Sequence, residues 1–115
     1  MKDFRELDVL HAAHDLVVEI HDISQSFPDN DSFGVTQAIA AAALGIPRSI
    51  VQACGRGSDA ALKQGLEQAS GFASELEYLM LLASEIGIVD DETIEELVGT
   101  LTEFKTKLSE ELGAL

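Results

Sequence analysis

The stretch AIAAAALGIP, Ala38 to Pro47, has no charged, amide or hydroxyl side chain, yet it lies in a chain of 115 residues with 21 acids, seven basic residues and a formal net charge of −14. Successive residues of an α-helix turn by about 100°, so an uninterrupted apolar run points away from the axis in every direction. A helix at the surface of a bundle needs only one apolar stripe. One side of this segment is expected to face the core of its own domain, and the other to need a second cover. The run is about half of the roughly 20 residues that span a bilayer, so it reads as a core helix and not as a membrane span.

Working outward, the chain repeats helical spacing on both sides. Val9, Ala13, Leu16, Ile20, Ile23 and Phe27 step by three and four and predict a first amphipathic helix. The loop PDNDS at 28 to 32 then breaks it, with Asp31 or Ser32 as a plausible N-cap for the second helix. Pro47 removes one backbone donor inside that second helix and Gly45 weakens it further, which predicts a kink or break near 45 to 47. CGRGSD places two glycines beside Ser58, a helix stop followed by an N-cap. Leu62, Leu66, Ala69, Ala73, Leu76, Leu79, Ala83 and Ile86 form the third stripe, with Gly65 and Gly71 small enough for a neighbouring backbone to approach and Gly87 as the stop. Asp90 caps a fourth helix with the stripe Ile94, Leu97, Leu101, Phe104 and Leu108.

No segment alternates with period two. The expectation is one all-α domain over residues 1–115, with helices at about 3–26, 32–54, 59–86 and 91–112. Long helices joined by short loops pack most simply as an antiparallel up-down-up-down four-helix bundle, here with a proline kink in the second helix.

Composition narrows the function classes. A net charge of −14 repels phosphate backbones and anionic headgroups, so direct nucleic-acid or membrane binding is not expected. The N-terminus MKDFRELDVL has charges where a signal peptide needs an apolar core, and the single Cys54 cannot form an internal disulfide. Both features fit a cytoplasmic protein. His11, His14 and His21 share roughly one helix face, but carboxylate-bridged metal bundles use Glu-x-x-His pairs on two helices, and no such pair occurs. Cys54 beside Gly55-Arg56 lacks a second cysteine or a recognisable catalytic partner and reads as a small buried residue. GRGS lacks the strand context of a phosphate loop. No catalytic, metal or cofactor site is expected.

The second cover over the alanine-rich helix is expected to be another copy of the chain, with Ala38, Ala40, Ala41, Leu44, Ile46 and Pro47 at the contact. Val35, Ile50 and Val51 flank the same surface. The simpler alternative is that exposed alanine costs a helix little. The acid runs VDDETIEEL and SEEL fit a solvated face of the fourth helix, or a negative rim able to attract a basic protein partner.

IPRSIVQACGRGSD followed by ASGFASELEYLMLLASEIG carries a resemblance. The chain resembles the four-helix-bundle proteins encoded in intervening sequences of bacterial 23S ribosomal RNA genes, a family that includes the accessory variability determinant of diversity-generating retroelements. Ile46-Pro47, Gly55-Arg56, Ala69, Gly71, Glu75 and Leu76 are its most specific points, and His14 and SFP at 26 to 28 also match. The resemblance implies an up-down bundle assembled as a homopentamer. The accessory proteins of the family are basic and associate with nucleic acid, which supplies an alternative reading as a nucleic-acid-associated accessory factor. This chain departs from that pattern: Ala40 and Ala41 stand where the family carries basic residues, and Ser49-Ile50-Val51-Gln52-Ala53 replaces Asn-Ile-Ala-Glu-Gly. Arg56 is expected to fix the helix junction through backbone carbonyls or an ion pair, with a carboxylate of the third helix such as Glu75 or of a neighbouring subunit. The preferred expectation is a non-enzymatic, homo-oligomeric binding or scaffold module.

Overall fold

A computed structural model describes residues 3–28 and 33–115. Four helices account for most of them: α1 (Asp8–Ser24), α2 (Val35–Arg56), α3 (Asp59–Glu85) and α4 (Asp91–Gly113). A single 3-10 turn, Phe4–Glu6, precedes α1, and the described residues contain no strand. Each helix packs on the next, and α4 closes against α1, so the four surround one core. Along neighbouring helices the touching pairs run in opposite chain directions. Ser84 donates to Asp91 and Lys105 to Glu77 between α3 and α4, while Gly45 lies at Phe72 and Ala53 at Gly65 between α2 and α3.

The expected stripes are the core. Leu16, Leu66, Leu76 and Phe104 are fully buried, and the rest of the α4 series, Ile94, Leu97, Leu101 and Leu108, is buried as well. Each such leucine or phenylalanine contributes about 1.5–3 kcal/mol of burial. Ile23 and Phe27 pack at the edge of the core, and Ile86 is exposed. Cys54 is buried in the same core.

The helix ends follow local chemistry. Gly57 has φ 80° and stops α2, a left-handed conformation that glycine adopts at little cost. Ser58 then accepts from the Ala61 N–H at 3.1 Å, and Asp90 from the Thr93 N–H at 2.7 Å. The Thr93 backbone N–H is the main cause holding the Asp90 carboxyl below its usual value of 3.8.

Three boundaries differ from the sequence expectation. The chain does not enter a helix at residue 3: Asp3 caps the short 3-10 turn, and Leu7, extended at ψ 120°, buries its side chain before α1 begins at Asp8. The second helix begins at Val35 and not at 32, with Gly34 at φ 72° in place of a side-chain cap; the suggested caps Asp31 and Ser32 lie outside the described residues. Finally, α2 ends at Arg56 and not at 54, and of the kink or break expected at Pro47 no break forms, because the helix runs unbroken through it. Its neighbours on both sides hold it, which outweighs one missing donor. Ser49, the buried polar residue of this helix, gives its hydroxyl to the Gly45 carbonyl at 2.7 Å.

Candidate functional site: the outer face of helices α2 and α3

Small residues bring α2 and α3 together. A Cβ on Gly65 would overlap that of Ala53 and stand 2.7 Å from the Ser49 carbonyl oxygen. Further along, a Cβ on Gly45 would come 2.7 Å from the Phe72 ring. Close backbones leave a shallow outer groove of about 890 Å³, floored by Gly45, Ser49 and Phe72, with Arg48 and Gln52 on its α2 side and Gln68 and Glu75 on its α3 side. Gly71 also lines it, and a Cβ there would meet nothing within 4 Å. Gly71 therefore opens the groove instead of admitting a backbone, as the sequence had suggested for it. Gly55 is equally open.

The α2 residues expected at a subunit contact divide into three groups. Ala40, Ala41 and Leu44 are exposed, Leu44 by 48%. Ala38 and Pro47 are half-buried, Pro47 beside Phe4, His14 and Val51 in a cleft between the N-terminal turn, α1 and α2. Ile46 is completely buried, so its assignment to an intersubunit contact is corrected: it packs inside its own bundle, as do Val35 and Ile50. With α1 on one side and α3 on the other, Ala42, Ala43 and Gly45 are covered within the chain. What remains open is a narrow strip.

The anticipated Arg56 contact is corrected for partners within its own chain. Arg56 is exposed at the end of α2 and makes no side-chain hydrogen bond or ion pair among the described residues; Glu75 lies well along α3, in the outer groove. Gly57 stops the helix unaided.

The imidazoles do not converge. The His11 ring bonds the Arg5 carbonyl through Nε2 at 2.7 Å, tying the N-terminal turn to α1, whereas His21 lies beside Asp22 near the far end of α1. No group of three or more His, Cys, Asp or Glu among the described residues is placed to hold a metal. α2 is long and apolar enough to cross a membrane by length and composition, but half of its most apolar window is buried in the bundle. Sequence reasoning missed Arg48, Gln52, Gln68 and Phe72 as groove residues. Only the pairing of α2 with α3 brings them together.

Fold and site together define an all-helical bundle with an open groove between α2 and α3. Residues 5–110 match the family model of the 23S rRNA-intervening sequence protein, and the chain belongs to that family. Among solved structures, it is similar to a protein of unknown function from the S23 ribosomal protein family of Bacteroides thetaiotaomicron. That likeness has a TM-score of 0.81 at 21% identity and covers 90% of this chain and 97% of the other. At that identity it establishes the fold. Neither description names an enzymatic activity. A search of curated proteins gives no match.

Proposed function

We propose that this protein is a non-enzymatic, cytoplasmic, homo-oligomeric binding or scaffold module, assembled through the outer face of α2. The observation that carries this reading is the position of the exposed Ala40, Ala41 and Leu44. They lie on α2, the one long helix without an Asp or Glu, in a chain of net charge −14. Copies so strongly charged repel one another over most of their surface, and α2 is where apolar contact can form without facing acid against acid. Five copies is the number implied by the family resemblance. The exposed acids of α4, including Asp91, Glu92, Glu95 and Glu96, then form an outer surface suited to a basic protein partner.

The mass in solution tests the reading. Sedimentation velocity should give a multiple of the 12.3 kDa protomer, and the double substitution Ala41→Glu with Leu44→Glu should reduce it to the protomer without loss of helicity. A wild-type protein that sediments as a monomer at every concentration overturns it.

A further inference from the structure

We infer that the outer face of α3 is a docking surface for a basic amphipathic helix of a partner protein, with Tyr78 and Leu81 as its apolar anchors and the acids of α3 and α4 as its rim. The inference rests on the reading of this protein as a binding module and not on its number of copies. It places the partner on a different helix from the contact between copies.

Gly71, Ser74, Tyr78, Leu81 and Glu85 step by three and four along α3, and all five are exposed. At 100° per residue they form one ridge, on the side of the helix opposite the buried Leu76 and Ala83. Tyr78 is 63% and Leu81 56% exposed, and residues three apart on a helix are neighbours, so two large apolar groups stand side by side in water. Ile86, also exposed, extends the patch past the end of α3. On α1, by contrast, Val18 is a single exposed apolar side chain of this size.

The charge around this patch has one sign. Between Lys63 and Lys105 the sequence has ten acids and no basic residue. Ser84 donates to Asp91 at 2.7 Å, which sets the first turn of α4 beside the last turn of α3, and Glu95 follows one turn further along. Lys105 neutralises Glu77, but Glu75, Glu85, Glu92 and Glu95 are exposed and form no ion pair among the described residues.

That field selects the occupant. A second copy would bring acid against acid, and nucleic acid or an anionic membrane is repelled in the same way. A helix with leucine-like anchors on one face and lysine or arginine beside them satisfies both the patch and the rim, and the stems of its basic side chains add apolar cover. The ridge from Gly71 to Glu85 is about 21 Å long, so a partner helix of about 14 residues follows it from end to end.

A labelled peptide of about 14 residues, built of lysine and leucine with the leucines at helical spacing, is the probe. Fluorescence anisotropy should show it bound by the wild type and released by salt, whereas the same design with glutamate in place of lysine should stay free. Tyr78→Ser combined with Leu81→Ser leaves the charge unchanged and should weaken binding at least about tenfold, as should Leu81→Lys, while Val18→Ser should bind like the wild type. Circular dichroism should report unchanged helicity in all of them, and sedimentation should give the Tyr78/Leu81 variant the wild-type mass. Peptide affinity that ignores Tyr78 and Leu81 shows attraction to acid alone and overturns the inference, as does binding of the glutamate peptide. A Tyr78/Leu81 variant that loses mass shows the face to be covered by another copy, which overturns it too. A wild type that is monomeric yet binds the peptide through these two residues supports the docking surface and removes only the oligomeric reading.

Discussion

Gly65 of α3 lies so close to Ala53 of α2 that a side chain on the glycine has nowhere to go: its Cβ would overlap that of Ala53 and press on the Ser49 carbonyl oxygen. The obstacle is backbone and a rigid methyl, neither of which can swing aside. Gly65→Ala should therefore destabilise the protein by about 1–3 kcal/mol despite the better helix propensity of alanine, which is worth only about 1 kcal/mol. Gly99 supplies the control. It is exposed within α4 and a Cβ there meets nothing within 4 Å, so Gly99→Ala should stabilise by about 0.5–1 kcal/mol. Urea denaturation of the two variants should show opposite signs, and equal signs would refute the account of α2/α3 packing.

Phe104 is the largest side chain that is completely buried. Phe104→Ala should cost about 3–5 kcal/mol, a large part of the 5–15 kcal/mol available to a domain of this kind. A loss below about 1 kcal/mol by urea denaturation would place the core elsewhere.

Asp90 couples the start of α4 to pH. Its carboxyl is held below the usual value by the Thr93 N–H, so it binds its proton less readily folded than unfolded. The stabilisation is present above the unfolded-state value of 3.8 and disappears as pH falls through the lower folded-state value. Asp90→Ala should lower the Tm at neutral pH, and the gap from wild type should close in strong acid. A gap that is the same at both pH values excludes the cap as its source.

Lys105 and Glu77 join α3 to α4 through a bond of 2.6 Å, but both side chains are about two-fifths exposed. Water screens such a pair. Lys105→Met should change stability by less than about 1 kcal/mol, and a double-mutant cycle with Glu77→Gln measures the coupling directly.

A chain of net charge −14 has little to offer a phosphate backbone. A low-salt mobility-shift assay with RNA and with DNA should show no retarded species at protein concentrations where self-association is complete. A salt-sensitive shift would favour the accessory-factor alternative over the scaffold reading.

Much of the fold was legible because helix spacing and capping are local. The α4 stripe, the stop at Gly57 and the caps Ser58 and Asp90 each depend on residues within a turn of one another. The start of the first helix was not legible, because the extended backbone of Leu7 interrupts the chain without any proline or glycine to signal it. Ile46 was misplaced for another reason: in a segment apolar on every side, sequence cannot say which side faces inward, and α1 and α3 decide that. The groove was the least legible part. Arg48 and Glu75 are 27 positions apart and come to line one groove only through the α2/α3 register.

The two-residue link Gly57-Ser58 also has a consequence for the order of folding. Helices α2 and α3 close the shortest loop in the described chain around the tightest backbone approach, so their hairpin forms at the smallest loss of chain entropy. α1 must dock across a longer connection. Stopped-flow kinetics should find Ala53→Gly mainly slowing refolding and Leu16→Ala mainly hastening unfolding, the signature of a nucleus built from α2 and α3 on which the remaining helices condense.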